Sequence, residues 1–181
     1  MALQGGFEVH AIRLRSLGHS VLEVRNAGDL AQVDGLVLPG GESTAQWQLL
    51  QAANLVAPVR AFVAAGRPLL ATCAGMILAA QRVTDAAGTE RPSLSLIDID
   101  VIRNAYGRQL DSFEGRDDDD QYDLVFIRAP RISRIGPGVT VLARLRGEPI
   151  LVRRGSTVAM AFHPELTDDL SLHALTFTTR A

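Results

Sequence analysis

A single cysteine, Cys73, stands in the stretch RPLLATCAGMILAA. An apolar run of strand type ends at Thr72, and Ala74 and Gly75 lead from the cysteine into a segment of helical pattern. Three effects favour reactivity for a thiol at such a break. Free N–H groups and the positive end of the helix stabilise a thiolate. A sharp turn projects the side chain outward and demands small neighbours, which Ala71, Ala74 and Gly75 supply. The N–H of the residue after the nucleophile can face a developing oxyanion. A cysteine packed as a small hydrophobe would account for the same stretch by itself, so the chemistry turns on whether a base accompanies it.

The chain has four histidines. His10 and His19, in or beside the first helical segment, read as surface positions, and His173 lies in the last helix with no evident acidic partner. His163 differs. VAMAFHPELTDD places it just after an apolar strand, with Glu165 two positions on and Pro164 stiffening the link. A histidine and a carboxylate so spaced can act as base and orienting acid. A third stretch, LPGGES, follows another short apolar strand; its paired glycines let backbone approach a ligand closely and can complete an oxyanion hole. An ordinary strand-to-helix turn would explain that pair taken alone.

Alternating elements must position these groups. Phe7 to Leu17 has helical spacing and stops at Gly18, Ser20 to Val24 reads as a strand, and Leu36 to Leu38 as a second strand running into Pro39-Gly40-Gly41. A helix capped by Ser43 or Thr44 continues through Leu50, and another runs from Pro58 to Ala65. PLLAT is a strand and Ala74 to Arg82 a helix. This alternation predicts an α/β fold with a largely parallel sheet. Beyond it, LSLIDIDVI, YDLVFI, TVLARL, PILVRR and TVAMAF read as antiparallel strands added to the same domain, before a final helix from about Ser171. The acidic run Asp117 to Asp120 reads as a solvated loop.

The 181 residues suit one domain, 1–181, and a hydrophobic share of 47% is enough for a core without staples. One cysteine allows no internal disulfide framework and fits a reducing, cytoplasmic setting. A net charge of −2 gives no reason to expect a nucleic-acid or membrane partner, and no apolar run is long enough to span a bilayer. The start MALQGGFEVH lacks the pattern of a signal peptide.

Taken together and in order, the three chemical segments resemble the class I (triad) glutamine amidotransferases. More narrowly, ALQGGFEVH, VDGLVLPGGEST, ATCAGMILAA, VIRNAYGRQLDSFE, VFIRAP and AFHPELTDD resemble the PdxT family, the glutaminase subunits of pyridoxal 5′-phosphate synthase. The resemblance implies a flavodoxin-like, three-layer α/β fold and hydrolysis of L-glutamine to glutamate and ammonia. It makes Cys73 the nucleophile, His163 the base and Glu165 its orienting acid, with the N–H groups of Gly41 and Ala74 as oxyanion donors. It also implies that Gly41, Glu42, Ser43, Arg103, Ile127 and Arg128 contact glutamine, and that Gln4 lies at a partner interface. The implied partner is a (β/α)₈-barrel synthase subunit that receives the ammonia within a hetero-oligomer. No metal and no bound cofactor is implied.

Two departures stand out. Family members carry a short apolar strand before ALQG, whereas this chain begins MALQGG, so the expectation is that the first strand is missing and that the polypeptide starts upstream of Met1. Ala71 stands where glycine is common, which is tolerable if its φ is negative. The alternatives left open are a glutaminase serving a different synthase and a non-catalytic module that docks to one.

Overall fold

In the computed structural model, which describes residues 1–103 and 112–177, the first half folds as alternating helices and strands. Helix α1 spans Phe7–Ser16, and α2, Ala27–Leu30, starts from a capping box between Asn26 and Asp29. Strand β1 (Leu36–Leu38) leads into α3 (Ser43–Ala52), and α4 (Val56–Ala64) precedes β2 (Leu69–Thr72). Helix α5 (Ala74–Ala79) follows Cys73 directly and passes into β3 (Ala80–Thr84). Next come β4 (Glu90–Arg91), β5 (Ile97–Ile102), β6 (Ser112–Arg116) and β7 (Asp123–Ile127). Strands β8 (Arg131–Ile135), β9 (Thr140–Leu145), β10 (Glu148–Arg154) and β11 (Thr157–Met160) follow, then a 3₁₀ turn at Pro164–Leu166 and helix α6 (Ser171–Phe177).

The main sheet has the order β1-β2-β11-β10-β9; its first three strands are parallel and the last two antiparallel. Every residue of β1, β2 and β11 is buried. Parallel strands covered on both faces need that, so LVL, LLAT and TVAM are apolar but for the terminal Thr72 and Thr157, rather than alternating. Helix α5 packs on all three and against α3, while α1 and α6 contact β1 and β2 and meet each other through His10 and His173. A second sheet, β4-β3-β5-β8, uses the alternation of IDIDVI to bury Ile97, Ile99 and Val101. A two-stranded sheet, β6-β7, stacks Phe113 on Phe126 with ring centroids 4.8 Å apart. The three-layer α/β fold is as expected.

Several local expectations change. TVAMAF is not simply an antiparallel addition, because β11 joins the main sheet parallel to β2 on one side and antiparallel to β10 on the other. The helix after Cys73 stops at Ala79, since Ala80 turns extended and pairs with Ile97 in β3. Glu42, rather than Ser43 or Thr44, caps α3 by accepting the N–H groups of Thr44 and Ala45. Asp117 is buried and accepts the N–H groups of Gln121 and Tyr122, while Asp118 accepts those of Arg146 and Gly147 at the β9–β10 turn. The acidic run is therefore two turn braces.

Ser20 to Val24 joins no sheet; its backbone bond to the start of the chain runs from the Ala2 N–H to the Val24 carbonyl, while the Met1 ammonium donates to the Val37 carbonyl. Between this segment and β1 lies a cavity of about 1170 Å³, bordered by Val21, Val24, Leu36, Val37 and Phe177. It does not reach Cys73 or His163. Residues 104–111, the NAYGRQLD of the motif, and residues 178–181 lie outside the described residues.

Candidate active site

Three neighbouring parallel strands end side by side, and each ends in one of the chemical segments. Leu38 of β1 is level with Ala71 of β2, and Thr72 of β2 with Met160 of β11. Gly40-Gly41, Cys73 and His163 therefore emerge at one edge of the sheet, the carboxyl end where α/β folds hold ligands.

Cys73 occupies a true turn, with φ 47° and ψ −106° between the last strand residue and the first helical one. An L-residue adopts that conformation only where its surroundings impose it. Here its N–H donates to the Met160 carbonyl at 2.9 Å, and the whole of α5 is buried against the sheet. Ala71 lies in β2 and is absent from the positive-φ residues, so its methyl is accommodated. Gly75 is required: a Cβ there would fall 1.9 Å from the Leu38 carbonyl oxygen. The thiol faces the Ile127 carbonyl at 3.8 Å.

His163 lies against Gly40 so closely that a Cβ on that glycine would come within 2.3 Å of the imidazole Cε1. Its Nδ1 is 2.8 Å from Glu165 Oε1, and both side chains are buried. Burial works to lower the imidazole pKa, but hydrogen bonding to Cys73 and Glu165 and the charges of both outweigh it, raising it to about 10. Burial likewise works to raise Glu165, yet the bond from His163 and the nearby His10 and His163 hold its carboxyl below the usual range. The Arg13 guanidinium, bonded to the Glu165 carbonyl at 3.1 Å, ties this turn to α1.

The remaining expected residues lie around this centre. Ala74 is the first residue of α5, where an N–H has no acceptor inside the helix. Gly41 is exposed at the mouth of the β1 turn, followed by exposed Glu42 and buried Ser43. Gln4 Oε1 accepts the Glu42 N–H at 2.9 Å, bracing the turn from the start of the chain. Arg103 donates to the Thr44 hydroxyl at 3.0 Å and reaches Glu42 at 3.5 Å. Ile127, the last residue of β7, and Arg128 just after it are exposed, Arg128 with φ 46°. Among the described residues no group of acidic, histidine or cysteine side chains could hold a metal ion.

His10 departs from its expected surface place. It is buried, with Nε2 3.3 Å from Glu165 Oε2 and 3.2 Å from the Thr72 hydroxyl, and Nδ1 2.9 Å from His173 Nε2. His173 is also buried, while His19 is half-buried, edge-on to Phe177. Spacing would have found His10, which lies three residues after Phe7 and four before Leu14 on the inward face of α1.

The pair His163–Glu165 makes stability depend on pH. The folded chain keeps a proton on His163 that the unfolded chain releases above 6.5, so this contribution is complete below 6.5 and is lost as pH rises toward 10. Glu165 acts oppositely, its contribution being present above 4.5 and lost as pH falls. We expect the gap in urea midpoint between wild type and His163→Asn to narrow as pH rises from 6.5 to 10. A constant gap would show that His163 is not protonated in the fold.

Residues 1–179 match the SNO glutamine amidotransferase family. The chain is 49% identical over 180 residues to the pyridoxal 5′-phosphate synthase subunit PdxT of Frankia alni, covering 97% of this chain and 90% of that protein. It is 47% identical over 178 residues to the PdxT of Desulforudis audaxviator, covering 96% and 93%. A crystal structure of a glutamine amidotransferase superposes with TM-score 0.89 at 41% identity, covering 97% and 94% of the two chains. A Thermotoga maritima glutamine amidotransferase, 14% identical with TM-score 0.57, covers 97% and 76% and shares the fold.

Proposed function

Because this chain belongs to the SNO glutamine amidotransferase family, we propose that Cys73, His163 and Glu165 are the residues with which it performs its glutaminase reaction. The chain is the glutaminase subunit of a pyridoxal 5′-phosphate synthase, which hydrolyses L-glutamine and supplies the ammonia to a synthase partner. The observation that supports the residue assignment is the meeting of the three strand ends, with His163 bonded to Glu165 at 2.8 Å beside a cysteine in a strained turn.

The Cys73 sulfur, whose proton His163 has taken, attacks the side-chain carboxamide carbon. Glu165 holds the resulting imidazolium in orientation through Nδ1. The N–H groups of Gly41 and Ala74 stabilise the oxyanion. His163 returns the proton to the nitrogen, the C–N bond breaks, and ammonia leaves a thioester. Water then attacks the thioester, giving its proton through His163 to the departing sulfur, and glutamate is released. Arg103 binds the α-carboxylate of glutamine, exchanging its 3.5 Å contact with Glu42 for a paired one. Glu42, Ser43, Ile127 and Arg128 complete the substrate contacts, and Gln4, which holds the Glu42 N–H, links the turn to the partner surface.

The partner is a (β/α)₈-barrel synthase subunit, the setting is the cytoplasm, and residues 1–181 act as one glutaminase domain. No helix among the described residues is long and apolar enough to cross a membrane. The test is ammonia release from L-glutamine with and without the synthase subunit, with Cys73→Ala as blank. Release that requires the partner and vanishes in the blank is expected; release unaffected by Cys73→Ala would overturn the assignment.

A further inference from the structure

Three side chains that the reaction scheme leaves idle, His10, Thr72 and His173, form a buried chain behind Glu165. Glu165 uses Oε1 for His163, and its other oxygen, Oε2, is buried without a hydrogen bond, with His10 Nε2 3.3 Å away. The same His10 nitrogen is 3.2 Å from the Thr72 hydroxyl, and that hydroxyl accepts the Gly40 N–H at 3.0 Å. On the far side, His10 Nδ1 is 2.9 Å from His173 Nε2. His173 Nδ1 is buried without a partner.

These contacts select one tautomer. A carboxylate oxygen can only accept, so Oε2 calls for a hydrogen on His10 Nε2. His10 Nδ1 then carries a lone pair and accepts from the Nε2–H of His173. That leaves a bare lone pair on His173 Nδ1, which a buried site tolerates better than an unpaired N–H. With the opposite tautomers, Oε2 would face a lone pair and a buried His173 N–H would be stranded.

Resting on the glutaminase reading above, we infer that His10 is a positioning residue. Its Nε2–H, bonded to the Thr72 hydroxyl and 3.3 Å from the second oxygen of Glu165, fixes together the acid that orients His163 and the turn that carries Gly40 and Gly41. One rigid ring on α1 thus couples the base side of the site to the oxyanion side. The ring stays neutral at working pH, since burial above all, with the neighbouring histidines and the Met1 amine, outweighs Glu165 and lowers its pKa to about 4. A neutral donor braces the carboxylate without competing with His163 for its charge. The groups facing His10 are Glu165 and His163, His173 from α6 and the Met1 amine, while Arg13 and Asp169 act on His173.

Two amides of similar polarity separate positioning from packing. In His10→Gln the amide nitrogen falls near the place of Nε2 and keeps the donor toward Glu165 and Thr72. In His10→Asn the amide reaches only the place of Nδ1, where its oxygen accepts from His173 and no donor faces Glu165 or Thr72. With the synthase partner present, His10→Asn is expected to lower kcat by about 10- to 100-fold with KM within about twofold. The acid limb of its kcat/KM profile should move toward neutral pH, because Glu165 has lost a group that favours its charged form. His10→Gln should recover most of kcat and restore the limb. Equal kcat and equal pH profiles in the two variants would overturn the proposal while leaving the glutaminase reading intact, provided wild type releases ammonia. An inactive wild-type complex would overturn both. Should His10→Asn fail to fold, the pH profile of His10→Gln against that of wild type decides: His10→Gln should keep the wild-type limb, and a shift in it would overturn the proposal.

Discussion

Replacing Cys73 by serine is expected to lower kcat for glutamine hydrolysis by roughly 10⁴-fold or more while leaving KM within about threefold. One atom changes, and the turn, the helix and the pocket stay as they are. A serine hydroxyl would still lie beside His163 and the Ile127 carbonyl, but an alcohol is far less acidic than a thiol and gives up its proton much less readily. The roughly 10⁴-fold loss corresponds to about 5.5 kcal/mol of transition-state stabilisation, so steady-state kinetics of the complex can measure it easily. A serine variant within about tenfold of wild type would show that the sulfur is not the nucleophile.

The second large effect is on folding rather than chemistry. Gly75→Ala places a methyl 1.9 Å from the Leu38 carbonyl oxygen and 2.7 Å from its carbon, both of them backbone. Neither can swing aside as a side chain would. Leu38 is held in register with Ala71, and α5 is buried along its whole length, so the helix must lift from β1. Overpacking of this kind is expected to cost about 3 kcal/mol or more, seen as a lowered urea midpoint with unchanged slope. Because Cys73 lies two residues away, glutaminase activity should fall as well. A loss of stability below about 1 kcal/mol would mean that α5 is more loosely seated than the contact implies.

Much of this site was legible in the chain. Cys73, His163 and the Gly40-Gly41 pair each follow a short apolar run broken by small or rigid residues, and that punctuation is local. The adjacency of their strands is not local, because β2 and β11 are nearly ninety positions apart and only tertiary pairing brings Thr72 level with Met160. His10 was misread for a different reason. A titratable residue in a helix suggests water, whereas its spacing from Phe7 and Leu14 points inward, and the spacing prevailed because Glu165 and Thr72 offered partners. Thr72 looked like the end of a strand, and its hydroxyl acquires meaning only from the Gly40 N–H across the sheet. Ser20 to Val24 has the composition of a strand but no ladder; strand propensity describes a surface that fits a sheet, and pairing depends on the neighbour. Glu42 outcompeted Ser43 and Thr44 as a cap because its longer carboxylate reaches two N–H groups at once.

The backbone of Cys73 opposes durability to function at a single position. Its φ of 47° with ψ −106° suits glycine, and every other residue placed there stores conformational energy that the surrounding packing must supply. Selection for stability alone would favour glycine at position 73, and the proposed role as nucleophile is a reason to retain cysteine there. Cys73 is therefore a standing load on the domain, and the wholly buried α5 is the counterweight that lets the fold bear it.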